Sequence, residues 1–277
     1  MTQPRTILIT GATDGLGRAL AQRLAADGEA LILHGRDQRR LDELADELAA
    51  AQGQRPWTVL ADLSELAQVR RLAEDVRAGT DRLDVLVLNA GIGSGEPDGR
   101  TRRESADGHE LRLAVNHLAG LLLTLELLPL LRASAPARVV FVASLGQHPL
   151  DFDDLMLEHD YDGSRAYSQS KLAQIMCGLE LAERLPADEV TVNSLHPSTY
   201  MPTKMVLQEI GHHVDSIEDG VAATRRLVSD PALAGTTGRF YDRTRETRAH
   251  PQAYDRAARA ELWRRSLQLI AHDDDHI

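Results

Sequence analysis

The stretch that decides the fold is TGATDGLG at residues 10–17, which joins the apolar run Thr6–Thr10 to the helical pattern Leu16–Ala26. Glycines let a backbone turn sharply and approach a ligand closely, and the amino terminus of a helix presents free N–H groups. A strand, a glycine turn and a helix in this order are typical of a site for the pyrophosphate of a dinucleotide. The spacing is GxxxGxG, whereas the best-known dinucleotide fingerprint is GxGxxG. A tight turn that binds no ligand is the alternative.

The alternation of strand and helix continues along the chain. Six short runs are apolar at consecutive positions, as expected for strands of a parallel sheet that helices cover on both faces. These runs are Thr6–Thr10, Ala30–His34, Trp57–Ala61, Val85–Leu88, Arg138–Ala143 and Val190–Leu195. The helical patterns are Leu16–Ala26, Arg39–Ala51, Ser64–Ala78, Ser105–Arg132, Arg165–Leu185 and Pro251–Ala271, with Asp37 and Ser64 placed as caps. The order predicts one α/β domain over residues 1–277, a doubly wound parallel sheet with helices on both faces.

Composition and charge limit the class of protein. Of the 277 residues 43% are hydrophobic, which supports a packed core and argues against wholesale disorder. The formal net charge of −11 disfavours a nucleic-acid partner, because an acidic chain repels phosphate backbones. The single cysteine, Cys177, excludes an internal disulfide framework and fits a reducing compartment. We therefore expect a cytoplasmic globular protein.

Two segments bear on targeting. Met1–Thr10 has an apolar stretch of only a few residues and lacks a cleavage site, so it does not resemble a signal peptide. Leu113–Leu131 is rich in leucine and has the length of a membrane span, but it contains Asn116, His117 and Glu126. Burying Glu126 in a bilayer would cost about 2.5–3.5 kcal/mol. We expect no membrane span here, and instead a helix buried on more than one side.

Three long segments interrupt the alternation. They are Gly91–Gly99, Leu145–Ser164 and His196–Glu218, and each follows a predicted strand. Open α/β sheets bind their ligands at the carboxyl ends of the strands. We therefore expect these segments, above all residues 145–164 and 196–218, to form the walls of a substrate site.

The residue after the second predicted strand points to a cofactor. An NAD site usually has an acid about 20 residues after the glycines, whereas an arginine there accommodates the 2′-phosphate of NADP. Arg36 supplies a planar cation suited to phosphate. NADP(H) is therefore the preferred cofactor, and NAD(H) is possible if Arg36 is only a surface residue and Asp37 binds the cofactor. Asp62, after the third strand, is placed to bind the adenine amino group.

The spacing of YSQSK at residues 167–171 indicates proton transfer. Residues four apart share a helix face, so the Tyr167 phenol and the Lys171 ammonium project together. General acid–base chemistry near neutral pH requires the pKa of a tyrosine to fall by roughly three units, about 4 kcal/mol. One cation at ~4 Å supplies about that energy at an effective dielectric constant near 20. The pair is sufficient for the chemistry, although the same spacing also arises by chance in many helices.

The combination of motifs resembles a known family. The chain contains, in this order, Thr10–Gly17, Asn89-Ala90-Gly91, Asn116, Ser144, Tyr167 and Lys171. From about Thr6 to Thr203 it resembles the short-chain dehydrogenase/reductase superfamily. The interval of 23 residues from Ser144 to Tyr167 is longer than is usual there, and it resembles the retinol dehydrogenase-like and protochlorophyllide reductase-like branch. The resemblance implies a single Rossmann-fold domain and an oxidoreductase.

The resemblance also implies catalytic roles for four residues. Ser144 would hydrogen-bond the carbonyl or alcohol oxygen of the substrate, and Tyr167 would donate or remove its proton. Lys171 would lower the pKa of the tyrosine and hold the nicotinamide ribose, while Asn116 would anchor a water in the proton relay. The alternatives are that Ser144 is an ordinary polar residue at a strand end and that Asn116 only bends a core helix.

A cofactor site follows from the same resemblance, with Asn89-Ala90-Gly91 stabilising the sheet beside it. Its implied residues are Gly11, Thr13, Asp14, Gly15, Leu16, Gly17, Arg36, Asp62, Leu63, Asn89, Ala90, Gly91, Tyr167, Lys171 and Pro197. The chain departs from the family at Asp14, where NADP enzymes often have a basic residue, so Arg36 is the main candidate for the phosphate. It departs again at Ser198, where the branch commonly has glycine after His-Pro, so the backbone there is expected to be less free.

Other residues carry less information. His212-His213 and the terminal His272 and His276, near Asp273–Asp275, lack the spacing of metal ligands, and we expect no metal. Cys177 is interpreted as a small core residue. The leucines from Leu111 to Leu131 are expected to pack against the sheet, and their excess apolar face suggests a homodimer or homotetramer.

The sequence thus leads to one preferred function. We expect an NADP(H)-dependent oxidoreductase that interconverts a carbonyl and an alcohol on a fairly apolar small molecule, with Tyr167 as general acid/base. One alternative is a reductase of an activated C=C bond, which could use the same tyrosine to protonate carbon. Another is a non-catalytic cofactor-binding regulator, against which the intact Asn116, Ser144, Tyr167 and Lys171 argue.

Overall fold

The computed structural model describes residues 4–95, 99, 101–203, 206–207 and 211–273. Its strands are β1 Thr6–Ile9, β2 Ala30–Gly35, β3 Trp57–Leu60, β4 Val85–Leu88, β5 Ala137–Val142, β6 Val190–His196, β7 Arg239–Asp242 and β8 Arg245–Thr247. They form one sheet in the order β3-β2-β1-β4-β5-β6-β7-β8. All neighbouring strands are parallel except β7 and β8, which are antiparallel. The strand order reverses between β1 and β4, as in a doubly wound Rossmann fold, and this confirms the predicted fold class.

Helices cover both faces of this sheet. They are α1 Gly15–Ala26, α2 Gln38–Gln52, α3 Leu66–Gly79, α4 Ala119–Ala133, α5 Gly163–Arg184, α6 Ile217–Ser229 and α7 Arg256–Leu269. A π-helical segment, Leu113–Leu118, leads directly into α4, and 3-10 turns lie at Pro231–Leu233 and Pro251–Tyr254.

The apolar runs are explained by two separate cores. Successive strand residues point to opposite faces of a sheet, and here both faces are covered. Ile7 and Ile9 of β1 pack in the core formed with α1, α2 and α6. Leu8 packs in the other core, formed with α3, α4, α5 and α7. The three apolar positions of β1 are therefore all buried although they point to opposite faces, which is why the sequence shows runs and not alternation.

One turn overrides two local predictions. The helix predicted to start at Ser105 is wrong at that end, because Gly108 adopts φ +81° and residues 104–110 close a turn before the π-helical segment begins. The Asp107 carboxylate from this turn accepts from the N–H of Leu66 at 2.9 Å. It therefore takes the place at the amino terminus of α3 that we predicted for Ser64. The hydroxyl of Ser64 donates instead to Asp62, whereas Asp37 caps α2 as predicted.

Three elements near the carboxyl end were not predicted. Helix α6 begins at Ile217 with a capping box between Ser216 and Asp219, although we expected irregular structure up to Glu218. Strands β7 and β8 are only four and three residues long, and polar residues interrupt them. At the last helix, Asp255 caps α7, so Pro251–Tyr254 forms a separate turn.

The leucine-rich helix is part of the core. Leu113–Ala133 is long and apolar enough to cross a membrane, but 78% of its most apolar window is buried within the protein. Helix α3 packs along it on one side, and its leucines contribute to the core that also contains α5 and α7. This confirms a helix buried on more than one side. The apolar face that suggested a second subunit is therefore used within the chain, and the oligomeric state stays a prediction.

Parts of some predicted segments lie outside the described residues. They are residues 1–3 of the amino terminus, residues 96–98 of the loop Gly91–Gly99, residues 204, 205 and 208–210 of His196–Glu218, and residues 274–277, which include His276.

The glycine turn after β1 packs tightly against the end of β4. A β-carbon on Gly11, which adopts φ +65°, would lie 2.9 Å from Cα of Ala90. A β-carbon on Gly17 would overlap the carbonyl oxygen of Gly11 and lie 2.5 Å from Nδ2 of Asn89. The Gly11 oxygen is backbone, and the Asn89 amide is held in place by its hydrogen bonds to the carbonyl oxygens of Thr10 and Gly11. Glycine is therefore required at position 17 by close packing against backbone.

We expect Gly17→Ala to lower the free energy of unfolding by about 1–3 kcal/mol, because the new methyl group forces the turn apart. Gly120→Ala is the matched control, since Gly120 also lies in a helix and its β-carbon would meet only Leu88, at 3.6 Å. That variant should be neutral or up to about 1 kcal/mol more stable, because alanine is the better helix former. Urea unfolding of both variants measures the difference, and equal effects would show that the turn tolerates a side chain.

His117 makes the fold sensitive to acid. It is fully buried in the π-helical segment, with its Nε2 2.8 Å from Oγ of Ser266 in α7. Burial lowers its pKa from 6.5 to about 3. Below about pH 6.5 the unfolded chain therefore binds a proton that the folded chain does not. The free energy of unfolding is at its full value above about pH 6.5 and decreases as the pH falls towards 3.

Between pH 7 and pH 5 this group alone should cost the protein about 2 kcal/mol of unfolding free energy. We expect the unfolding free energy of His117→Gln to fall by about 2 kcal/mol less than that of wild type between pH 7 and pH 5, because glutamine does not titrate. Urea titrations at the two pH values provide the comparison. The same loss in both proteins would mean that His117 is not held neutral by burial.

Candidate active site

The turn after β1 presents a helix amino terminus towards the carboxyl edge of the sheet. Gly11 and Gly15 adopt positive φ angles of +65° and +47°. Asp14 caps α1 by accepting from the N–H of Gly15 at 2.8 Å. The first N–H groups of a helix have no partner within it, so those at the start of α1, including Leu16, are available to an anion. The predicted turn residues are therefore together at one helix end.

The Asn89-Ala90-Gly91 segment holds this turn from the neighbouring strand. The side-chain amide of Asn89 donates to the carbonyl oxygens of Thr10 and Gly11, at 2.9 and 3.1 Å. The hydroxyl of Thr10 accepts from the N–H groups of Asn89 and Ala90, both at 3.0 Å. The segment thus joins the ends of β1 and β4 at the point where the strand order reverses, which is the position expected for it.

The end of β2 carries a free cation. Arg36 is exposed and, within the described part of the chain, pairs with no carboxylate. The Asp37 carboxylate accepts from the N–H of Arg40, so it is occupied in capping α2. Arg40 reaches back to the Asp14 carboxylate of the glycine turn, at 3.0 Å. We did not predict Arg40 from the sequence, although its position four residues after Arg36 indicated a second cation near the end of β2.

The loop after β3 is ordered by its own polar groups. The Asp62 carboxylate accepts from the N–H and the hydroxyl of Ser64, at 2.9 and 2.8 Å. Its N–H donates to the side chain of Gln68, and Leu63 is buried in the core. Asp62 and Leu63 therefore lie at the carboxyl edge of β3, beside the other implied cofactor residues, in a fixed loop.

Asn116 lies in the π-helical segment and forms hydrogen bonds with the segment after β4. Its Oδ1 accepts from the N–H of Ile92 at 2.8 Å, and its Nδ2 donates to the carbonyl oxygen of Ile92 and to Oγ of Ser170. Ser170 in turn donates to the carbonyl oxygen of Tyr167. Asn116 is thus connected to the helix that carries the tyrosine and the lysine, and it is more than a residue that bends a helix.

Lys171 is buried at the carboxyl end of β5. Its Nζ donates to the carbonyl oxygen of Val142 at 3.1 Å and to the side chain of Gln174 at 2.9 Å. Burial lowers its pKa from 10.5 to about 8, so the ammonium remains the major form at neutral pH. Nζ also lies 5.8 Å from the centroid of the Tyr167 ring. Gln174 was missed from the sequence, and its place three residues after Lys171 on one helix face was the available signal.

The predicted catalytic side chains converge around two glycines. A β-carbon on Gly91 would lie 3.0 Å from Oδ1 of Asn116 and 3.4 Å from Nζ of Lys171. One on Gly146 would lie 3.4 Å from Oγ of Ser144 and 3.9 Å from Cε1 of Tyr167. A single region at the carboxyl ends of β4 and β5 therefore brings the four predicted catalytic residues together. A side chain at either glycine would occupy part of that region.

Tyr167 is more accessible than Ser144 and Lys171, which are both buried. Oγ of Ser144 accepts from the N–H of Gly146 at 3.0 Å, which leaves its hydroxyl proton for another acceptor. Tyr167 is half-buried on the first turns of α5. The phenol is therefore the more accessible group of the pair, and the charged ammonium is buried beside it.

The segment after β6 explains the departure at Ser198. The hydroxyl of Ser198 and the N–H of Thr199 both donate to the Asp215 carboxylate, at 3.0 and 2.7 Å. Arg243 also pairs with Asp215, and this hydrogen bond lowers the pKa of the carboxyl to about 2. Pro197, which precedes them, is buried at the end of β6. Serine thus anchors the loop at a position where glycine would leave it free.

A buried charge cluster joins two of the predicted substrate segments. The guanidinium of Arg112 is fully buried and donates to the carbonyl oxygens of Gly93 and Ser94, at 2.8 and 2.7 Å. It also donates to the Tyr161 hydroxyl, which donates in turn to the Glu110 carboxylate at 3.0 Å. Sequence reasoning did not find this cluster, because its members are far apart in the chain.

The residues present fit a dinucleotide. The helix end at the glycine turn offers unpaired N–H groups to a pyrophosphate, and the free Arg36 guanidinium lies at the adjacent strand end. The Tyr167 and Lys171 side chains lie further along the same edge of the sheet, at the carboxyl end of β5. Within the described residues no group of three or more His, Cys, Asp or Glu side chains could hold a metal ion.

The sequence matches known proteins over most of its length. Residues 5–212 match the short chain dehydrogenase family. Human retinol dehydrogenase 14 is 36% identical over 94% of this chain and 84% of its own length. A Streptomyces sp. (strain C5) protein assigned as a daunorubicin C-13 ketoreductase is 37% identical over 96% of this chain and 92% of its own.

A solved structure supports the same grouping. The Pseudomonas aeruginosa protein RhlG, in an active-site complex with NADP, is 27% identical with a TM-score of 0.69, over 86% of this chain and 94% of that one. The matched span includes the glycine turn, Ser144, Tyr167 and Lys171. The chain belongs to the short-chain dehydrogenase/reductase family, in its retinol dehydrogenase-like branch, and is an NAD(P)-dependent oxidoreductase.

Proposed function

We propose that this protein uses NADP(H) to interconvert a carbonyl and an alcohol on a fairly apolar small molecule, with Tyr167 as general acid/base. The observation that carries the proposal is the buried Lys171 ammonium, which is held beside the half-buried Tyr167 ring at 5.8 Å. The names of the relatives agree, since one is a retinol dehydrogenase and another is assigned as a ketoreductase.

The bound nicotinamide would supply or accept a hydride, and the chain itself would handle the proton. Tyr167 would donate a proton to the substrate oxygen during reduction and remove it during oxidation. The Ser144 hydroxyl, which keeps a free proton, would orient the same oxygen by a hydrogen bond. Asn116 would be linked to Tyr167 through Ser170, because its amide donates to the Ser170 hydroxyl and that hydroxyl donates to the Tyr167 carbonyl oxygen.

The charge on Lys171 is what makes a phenol useful here. A cation about 6 Å from a phenolate stabilises it by about 3 kcal/mol at an effective dielectric constant near 20. The ammonium is already held by Val142 and Gln174, so no reorganisation is needed when the phenolate forms. Because the pKa of Lys171 is about 8, this support is present at neutral pH and is lost as the pH rises above 8.

The exposed apolar side chains support an apolar substrate. Among the described residues, the large hydrophobic side chains that remain exposed all follow or end strands at the carboxyl edge of the sheet. They are Leu60, Leu145, Tyr200, Leu207 and Val214. Leu145 belongs to the segment after β5, and Tyr200, Leu207 and Val214 belong to the segment after β6, the two segments that we expect to form the walls of a substrate site. Both segments leave the edge that carries Tyr167.

The preference for NADP(H) rests on the end of β2. Among the residues that the structure describes, Arg36 has no carboxylate partner, and Asp37 is occupied as the cap of α2. A 2′-phosphate would give Arg36 the partner that it lacks, whereas NAD(H) would bring it none. The complex of the similar RhlG with NADP supports the same choice.

We expect Tyr167→Phe to lower the rate of NADPH-dependent ketone or aldehyde reduction by about 10²–10⁴-fold, because the substrate oxygen loses its proton donor. The assay follows NADPH absorbance across a panel of ketones, aldehydes and quinones. Tyr241→Phe is the matched control, since it removes a hydroxyl from a buried tyrosine in β7 and should retain activity. Full turnover in Tyr167→Phe would exclude the tyrosine as general acid.

Product analysis separates carbonyl reduction from C=C reduction. With a model enone, the proposed enzyme yields the unsaturated alcohol, because the proton goes to oxygen. The saturated ketone as sole product would show that the hydride is delivered to the C=C bond and that the alternative function is correct.

Cofactor choice can be tested on three neighbouring arginines. We expect Arg36→Ala to weaken NADPH binding by about tenfold or more, because a charge-assisted hydrogen bond to phosphate is lost, with little effect on NADH. Arg40→Ala should have a smaller effect in the same direction, since Arg40 already pairs with Asp14. Arg39→Ala is the control, because Arg39 points to solvent and pairs with Glu43. Equal weakening of NADPH and NADH in Arg36→Ala would reject the phosphate role.

A further inference from the structure

A buried histidine lies beneath the glycine turn. His34 is the penultimate residue of β2 and is 2% exposed. The strand lies between β1 and β3, so its carboxyl end is flanked by the glycine turn on one side and by the loop to Asp62 on the other. The side chain of His34 contacts both.

Both ring nitrogens are engaged in hydrogen bonds. The N–H of Gly11 lies 3.2 Å from Nδ1 of His34, and the carbonyl oxygen of Ala61 lies 3.1 Å from Nε2. A backbone N–H can only donate and a carbonyl can only accept. Nδ1 must therefore be the acceptor and Nε2 must carry the proton, which requires one tautomer of the neutral ring.

The environment favours that neutral ring. Burial lowers the pKa of His34 from 6.5 to about 4, outweighing the hydrogen bond to Ala61 and the negative charge of Asp62, which both raise it. A second proton would have to be placed on Nδ1, directly opposite the N–H of Gly11. The contact between two donors would open the turn.

His34 completes a clamp on one peptide. The N–H of Gly11 is held by the ring, and the carbonyl oxygen of Thr10, in the same peptide group, is held by the amide of Asn89. The main-chain carbonyl of His34 also accepts from the N–H of Ala12, at 2.8 Å. The first two N–H groups of the turn are thus directed into the protein, and those nearer α1 remain for a ligand.

We infer that His34 is a positioning residue for the dinucleotide: its Nδ1 fixes the Gly11 peptide so that the N–H groups at the start of α1 are aligned for the pyrophosphate before it binds. This inference rests on the proposed use of NADP(H). The alternative is that His34 only ties β2 to β3 through its bond to Ala61.

Two substitutions of similar size and polarity separate these roles. Oδ1 of asparagine occupies the position of Nδ1, so His34→Asn keeps the acceptor for Gly11 and loses the donor to Ala61. Nε2 of glutamine can reach the position of the ring Nε2, so His34→Gln keeps the donor and loses the acceptor. Each variant removes one of the two hydrogen bonds.

We expect His34→Gln to weaken NADP⁺ binding by about tenfold relative to His34→Asn, because a lost buried hydrogen bond reduces the alignment of the turn. Calorimetric titration of NADP⁺ into the full chain measures this, with thermal unfolding to confirm that each variant is folded. Equal affinities, or weaker binding by His34→Asn, would overturn the inference. If wild type itself binds no NADP⁺, the proposed function fails instead.

The tautomer gives an independent readout on the wild-type protein. Nitrogen-15 spectra of the labelled imidazole at neutral pH should show an unprotonated Nδ1 and a protonated Nε2 at His34. A protonated Nδ1 would overturn the inference even if neither variant folded.

Discussion

The buried ammonium of Lys171 is the constraint on which the reactive end of the molecule depends. A charge without water must be satisfied by nearby groups, and here these are the Val142 carbonyl at the end of β5 and the Gln174 side chain one turn further along α5. The bond to Val142 joins α5 to the sheet and fixes the rotation of the helix, while the bond to Gln174 holds the ammonium against α5 itself. The rotation in turn decides where Tyr167 lies, because it is four residues earlier on the same face. The position of the phenol is therefore determined by the interaction that supplies its positive charge.

The cofactor end depends on a comparable constraint at the glycine turn. Asn89 after β4 and His34 from β2 hold the two ends of the Thr10–Gly11 peptide group, while Gly17 leaves no room for a side chain. The sheet brings these residues together because β1 lies between β2 and β4. Both ends of the site are therefore organised in the same way. Backbone groups just beyond the strands are fixed by buried side chains, so that the remaining polar groups are ready for a ligand.

Much of this arrangement could be predicted from the sequence, and the exceptions have physical reasons. The six parallel strands were recognisable because burial on both faces produces apolar runs. The positions of Tyr167, Lys171 and the glycine turn followed from spacing within single elements. The false helix start at Ser105 arose because Asp107 bonds to Leu66, a contact between distant segments. The Arg112 cluster, the anchoring of Ser198 by Asp215 and the contacts of His34 are tertiary for the same reason. No local pattern encodes them.

The most direct test of the account is a crystal structure of the protein with NADP⁺ bound. We expect the nicotinamide ring beside the Tyr167 phenol and the Lys171 ammonium, the pyrophosphate at the amino terminus of α1, and the 2′-phosphate at Arg36. A nicotinamide ring remote from Tyr167 would contradict it, and so would crystals in which saturating NADP⁺ leaves the glycine turn without a ligand.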